Sequence, residues 1–142
     1  MVERPIAPGV LLARGVCRGL IEAGMMPLTE VSLPNGLRMD VCALARDGDI
    51  WCVEVKSSRA DFVSDGKWEG YREWCDCFAF AVPEGFPDAL LPQDAGLIRA
   101  DAHFAEILRQ PPRKALAAAR RKAMTLRFAR LAAERLARAT TA

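Results

Sequence analysis

Two carboxylates and an ammonium stand where a strand pair would be expected to carry apolar residues. In RMDVCALARDGDIWCVEVKSS, residues 38–58, Asp40, Glu54 and Lys56 interrupt two short apolar runs joined by Arg46-Asp47-Gly48. Alternation places Asp40, Cys42 and Leu44 on one face and Met39, Val41, Ala43 and Ala45 on the other. In the next run Ile50, Cys52, Glu54 and Lys56 share a face, and Trp51, Val53 and Val55 share the opposite one. Both faces are mainly apolar, the pattern of strands covered on each side. A two-residue turn at Asp47-Gly48 would pair Asp40 with Val55 and send Glu54 to the other side. A three-residue turn with Gly48 left-handed pairs Asp40 with Glu54 and Cys42 with Cys52. The second register is the expectation. It sets the carboxylates about 5 Å apart on adjacent strands, a spacing from which both can reach one Mg²⁺ at ~2.1 Å. An isolated E-x-K is most often a solvated strand face. With Ile50 and Cys52 as face-mates, however, an unpaired carboxylate is costly to bury and calls for a cation beside it.

The elements that must position these residues follow from periodicity. Leu12, Val16 and Leu20 predict a helix over 6–23, closed by Gly24. LTEVSL, LRMDVCALA and DIWCVEVK read as a three-strand meander. The stretch 57–76 has helical spacing in Phe62, Trp68, Tyr71 and Cys75, a capping box of Ser58 with Asp61, and a break near Ser64, because Gly66 and Gly70 weaken the helix. CFAFAV is a buried strand, GLIRA an edge strand, DAHFAEILRQ a short helix, and the remainder after Pro111-Pro112 one long basic helix, at about 113–138. The order predicts an α/β sandwich: a small mixed sheet of four to five strands with helices on both faces, in one domain over 1–142.

Composition agrees with a compact fold, 51% hydrophobic and 27% charged over 142 residues. The start, MVERPIAPGVLLARG, carries Glu3 and Arg14 where a secretory signal needs an apolar core, and no run is long enough to cross a membrane, so a cytoplasmic location is expected. Five cysteines at no disulfide or zinc spacing read as buried free thiols. The net charge of +2 conceals a split: residues 113–138 carry nine bases and one acid, and the rest of the chain eleven bases and seventeen acids. Arg113, Arg120, Arg121, Lys122, Arg127 and Arg130 are therefore candidate contacts to a DNA backbone. Trp68, Tyr71 and Trp74 could stack on bases but better fit the core face of their helix. His103 has no role assigned.

A helix, then a meander bearing Asp40 and, about a dozen residues later, Glu54-Val55-Lys56, then a helix and a strand, resembles the restriction-endonuclease-like PD-(D/E)XK superfamily. Met39-Asp40 replaces the usual Pro-Asp. More specifically, GLRMDVCALARDGDIWCVEVKSSRADFVSDGKWEGYREWCDCFAFAVPEGFP, followed by LLPQDAGLIRAD and ARRKAMTLRFAR, resembles the bacterial MmcB-like DNA repair proteins over nearly the whole chain. Ala79 departs from an expected aromatic. The resemblance implies a repair protein acting on damaged or structured DNA as a magnesium- or manganese-dependent endonuclease, without a small-molecule cofactor. Asp40 and Glu54 would bind the metal, with the Val55 carbonyl as third ligand, and Lys56 would orient water or meet charge on the phosphate. Glu22 matches a position where the superfamily often adds a carboxylate, and Lys67 one from which a base can face substrate. Glu30, Ser57 and Ser58 complete the candidate set, with helix capping as the plainer reading of Ser58. Many enzymes of the superfamily act as dimers, which makes a homodimer a candidate assembly. Other members bind without cutting, so a catalytically silent DNA-binding module stands beside the nuclease reading. An adaptor whose arginine-rich helix docks an acidic partner is the third.

Overall fold

A computed structural model describes residues 4–66 and 68–141. Its centre is a six-stranded sheet in the order β1-β2-β3-β4-β5-β6, with β1 Met26–Ser32, β2 Arg38–Leu44, β3 Ile50–Val55, β4 Cys77–Val82, β5 Gly96–Ala100 and β6 Ala105–Arg109. The first three form an antiparallel meander, β3, β4 and β5 run parallel, and β6 returns antiparallel to β5. The expected mixed α/β class therefore holds, with six strands in place of four to five. Every residue of β3 and β4 is buried, as strands covered on both faces must be.

Helix α1, Pro8–Glu22, covers one face with Leu12, Val16 and Leu20 set against Val41, Val53, Val55 and Ala79. Two of its glycines allow this approach: a Cβ on Gly15 would stand 1.8 Å from the Asp101 carbonyl oxygen, and one on Gly19 2.4 Å from that of Ala105. The opposite face, lined by Cys42, Cys52, Phe78 and Phe80, is covered by α2 (Arg59–Ser64), α3 (Glu69–Arg72) and α4 (Ala118–Thr141), through Phe62, Trp68, Tyr71, Met124 and Phe128. The helix break expected near Ser64 is present. Trp68 and Tyr71 stack on Phe78, so these aromatics serve the core.

Four expectations are corrected. DAHFAEILRQ is the strand β6, not a helix, because the Asp101 carboxylate accepts the N–H groups of His103 and Phe104 (2.7 and 2.9 Å) and turns the chain back along β5. GLIRA is thereby an inner strand. The basic helix begins at Ala118 instead of Arg113, since the Lys114 and Leu116 N–H groups are drawn to Asp76 and Arg113 bridges to Cys77. Those tertiary bonds outweigh the helical propensity of RKALA. Finally, Met39 packs in the core of Cys42 and Val31, away from Val41 and Ala43. The alternation switches at Asp40, opposite Glu30, which has a φ of 54°.

Along β1, side chains from α4 reach the backbone: Arg127 donates to the Ser32 carbonyl and Arg135 to that of Glu30, both at 3.1 Å. All five cysteines are free thiols, four of them buried. Burial, then the nearby Cys75 thiol, pushes Cys42 up to about 12. No helix among the described residues is long and apolar enough to cross a membrane.

Candidate active site

The β2–β3 turn sets the site. Gly48 is left-handed (φ 92°), Ala45 and Asp49 close a three-residue loop, and Cys42 pairs with Cys52 as the longer turn requires. The backbone ladder ends at Val41–Val53. Beyond it the carboxylates take over the bonding between strands: the Asp40 N–H donates to Glu54 Oε2 (2.9 Å) and the Val55 N–H to Asp40 Oδ2 (2.8 Å). The two acids thus meet across the open end of the strand pair, each with one oxygen committed to the opposite backbone. Tyr71 braces the arrangement beside Glu54, donating its hydroxyl to the Arg38 carbonyl at 3.1 Å.

Charge in this corner is poorly compensated. Burial, followed by the charge of Asp40, pushes the Glu54 carboxyl up to about 8, against the opposing pull of the Asp40 N–H, Lys56 and Tyr71. Asp40 is also raised, by burial foremost. Burial and the neighbouring Glu54 raise Tyr71, which keeps its phenol protonated as a donor. An ammonium stands close by, yet Lys56, 4% exposed, donates its hydrogen bond to Asp65 Oδ2 at 2.5 Å. The backbone of Lys56 is meanwhile fixed to β4 through its N–H to the Ala81 carbonyl, at 3.0 Å.

Helix α2 brings Asp65 to this position. Ser58 caps its first turn by accepting the Asp61 N–H, and Asp61 in return accepts the Ser57 N–H. Phe62 seats the helix edge-on against Phe80 and Phe86, at 5.6 and 6.4 Å between ring centroids.

The oxygen donors of Asp40 and Glu54 fit a hard divalent cation such as Mg²⁺ or Mn²⁺, and burial above all, with the charge of Asp40 added for Glu54, raises both carboxyls. Among the described residues no group of three or more His, Cys, Asp or Glu side chains is arranged to hold a metal. An ion here would rest on two carboxylates, backbone carbonyl and water.

The other candidates are dispersed. Glu22 is exposed on α1, the helix that covers the opposite face, and Glu30 is exposed beside Arg38 at 3.8 Å. Ser57 and Ser58 are occupied with Asp61, and Lys67 lies outside the described residues. Much of the basic stripe is engaged by the protein's own groups, although Arg113, Arg120 and Arg127 remain exposed. Arg113 forms two bonds to Asp49 (2.7 and 2.9 Å), and Arg121 grips Asp76 with both terminal nitrogens (2.9 and 2.5 Å). Arg120 lies over the Trp74 ring at 4.2 Å, and Arg127 bonds the Ser32 carbonyl. Lys122 and Arg130 are exposed, the latter in a groove between α4 and β1 with Glu30, Ser32 and Arg127.

Sequence reasoning assigns no role here to Asp65, Asp49 and Asp76, and it places Tyr71 in the core without its tie to the site. Asp76 carried a signal: a lone acid between Cys75 and Cys77, beside CFAFAV, needs a buried cationic partner. It accepts the Ile50 and Leu116 N–H groups, both at 2.8 Å, and with Arg121 these overcome the burial that would otherwise raise its carboxyl, so that it titrates below its ordinary value.

Comparison with known proteins adds two findings. The family model described as DNA repair protein MmcB-like matches residues 5–142. A solved structure, a protein of unknown function from Silicibacter pomeroyi, is 50% identical with a TM-score of 0.89 over 92% of this chain and 90% of that one. The curated proteins contain no match to the chain.

Proposed function

The chain belongs to the MmcB-like DNA repair protein family, and from that premise we propose that it hydrolyses DNA phosphodiester bonds at the Asp40, Glu54 and Lys56 site. The observation that carries this reading is the meeting of Asp40 and Glu54 at the open end of β2 and β3, each with one oxygen bound to the opposite strand's backbone. Asp40, Glu54 and the Val55 carbonyl would hold Mg²⁺ or Mn²⁺. Such an ion, when bound, acidifies water and offsets charge on the scissile phosphate. The protein's share is orientation. The N–H groups of Asp40 and Val55 fix one oxygen of each carboxylate, Tyr71 steadies Glu54, and the β4 carbonyl at Ala81 fixes the backbone from which the Lys56 ammonium projects. That ammonium lies next to the carboxylates, suited to balance charge developing on a phosphate oxygen. Lys122 and Arg130, exposed and, among the described residues, without the protein contacts that engage Arg113, Arg120, Arg121 and Arg127, are the bases through which α4 would meet the DNA backbone.

A silent DNA-binding module is the second reading. It is favoured by the use of one oxygen of each carboxylate, and of the Lys56 ammonium, inside the fold. The two separate in one experiment. Nicked, branched and single-stranded DNAs are incubated with Mg²⁺ or Mn²⁺ and either the native chain, Asp40→Ala or Lys56→Ala. The nuclease reading expects cleavage by the native chain alone, with turnover in Lys56→Ala reduced far more than DNA affinity. Binding of every DNA without cleavage, unchanged when metal is chelated, would establish the silent module instead.

A further inference from the structure

A lysine two residues from Glu54 has an obvious resting place, which is against Glu54 itself. There it would neutralise the carboxylate pair and occupy the space between the acids. The observed arrangement differs. The Lys56 ammonium sits 2.5 Å from Asp65, a residue at the C-cap of α2, with 5% of the lysine side chain exposed against 28% for Asp65. The short helix between them is built to make this contact. Ser58 starts it, Phe62 fixes it against Phe80 and Phe86, and the chain leaves helical geometry at Asp65 itself, φ −106° and ψ 103°. None of the helix's own residues is fully buried, so its placement depends on these few contacts. Buried, hydrogen-bonded ion pairs hold a side chain in one orientation even when they add little stability.

We infer that Asp65 is a positioning residue for Lys56: it holds the ammonium toward α2, beside the Asp40–Glu54 pair and not between the two acids, in the orientation from which it can meet charge on a phosphate. The inference rests on the nuclease reading for its purpose, but the hold itself does not. Two consequences follow. The carboxylate pair stays available to a cation, and the lysine charge is aimed before substrate arrives, so that little reorganisation is left for the reaction step. Asp61 has a different task, since its carboxylate serves Ser57 and its N–H serves Ser58.

The test compares the native chain with Asp65→Asn and with Asp65→Glu, which keeps the charge. The side-chain ammonium resonance of Lys56, assigned with Lys56→Met, is followed by heteronuclear NMR without metal or DNA. Asp65→Asn should shift or abolish it, and Asp65→Glu should retain it. An unchanged resonance in Asp65→Asn overturns the inference. On a DNA that the native chain cuts, Asp65→Asn should lower kcat by about ten-fold with KM within about two-fold, and Asp65→Glu should restore part of the loss. Native kcat in Asp65→Asn, despite an altered resonance, would also overturn the positioning role. If the native chain cuts no DNA while the resonance responds as described, the nuclease reading fails and the hold of Asp65 on Lys56 stands.

Discussion

Replacing Glu54 by Gln should change how the stability of the metal-free protein depends on pH. Burial, and then the charge of Asp40, raise the Glu54 carboxyl to about 8 from an ordinary 4.5. In the unfolded chain it returns to about 4.3. An acid that binds its proton more tightly in the folded state favours folding below the unfolded value. That advantage is lost as pH rises between the two values, and the loss is complete above the folded one. A displacement of three to four units at about 1.36 kcal/mol each amounts to about 4–5 kcal/mol. Native protein should therefore lose about 4 kcal/mol between about pH 5 and about pH 8.5. Glu54→Gln, whose amide oxygen can still accept the Asp40 N–H, should lose far less. Urea unfolding of both proteins across that range, with chelator present, measures the difference directly. Adding Mn²⁺ should restore the native chain at alkaline pH by binding the folded state alone, and do little for the variant. Parallel pH curves, within about 1 kcal/mol of each other, would refute the view that uncompensated charge resides at this pair.

Two further outcomes concern the basic arm. Asp76→Ala strands the buried Ile50 N–H, the Leu116 N–H and the Arg121 guanidinium; a cost of about 3–5 kcal/mol is expected in urea unfolding, and a loss below about 1 would contradict the role given to it. If Lys122 and Arg130 meet phosphates, replacing either by Ala should reduce the salt slope of DNA binding by about one; unchanged slopes in fluorescence anisotropy titrations would remove both from the interface.

Local chemistry made much of this molecule legible. A glycine after Arg46-Asp47 selects a longer turn, the turn fixes register, and register brings Asp40 to Glu54. Ser58 and Asp61 announced their cap, and Leu12, Val16 and Leu20 their helix. The failures came where distant groups outbid local preference. FAEIL has acceptable helical spacing, but the side chain of Asp101 folds it into a strand. RKALA would continue the last helix, but Asp76, some forty residues earlier, holds its N–H groups. The same limit applied to charge. Nine bases in one segment suggested a surface for phosphates, while the acids that neutralise Arg113 and Arg121 lie in β3's turn and before β4, where sequence offers no sign of proximity. Asp65 was equally hidden, because its partnership with Lys56 depends on how a six-residue helix is seated.

The guanidinium groups of Arg127 and Arg135 have a consequence beyond holding α4 in place. Strand β1 borders the sheet, and a border strand with vacant carbonyls is a template onto which another polypeptide can add. Those of Glu30 and Ser32 are already taken, and the left-handed kink at Glu30 interrupts the regular run an incoming strand would need. The long helix is thus also a guard: variants that shorten or lift it should be prone to self-association through this margin, even with the carboxylate pair intact.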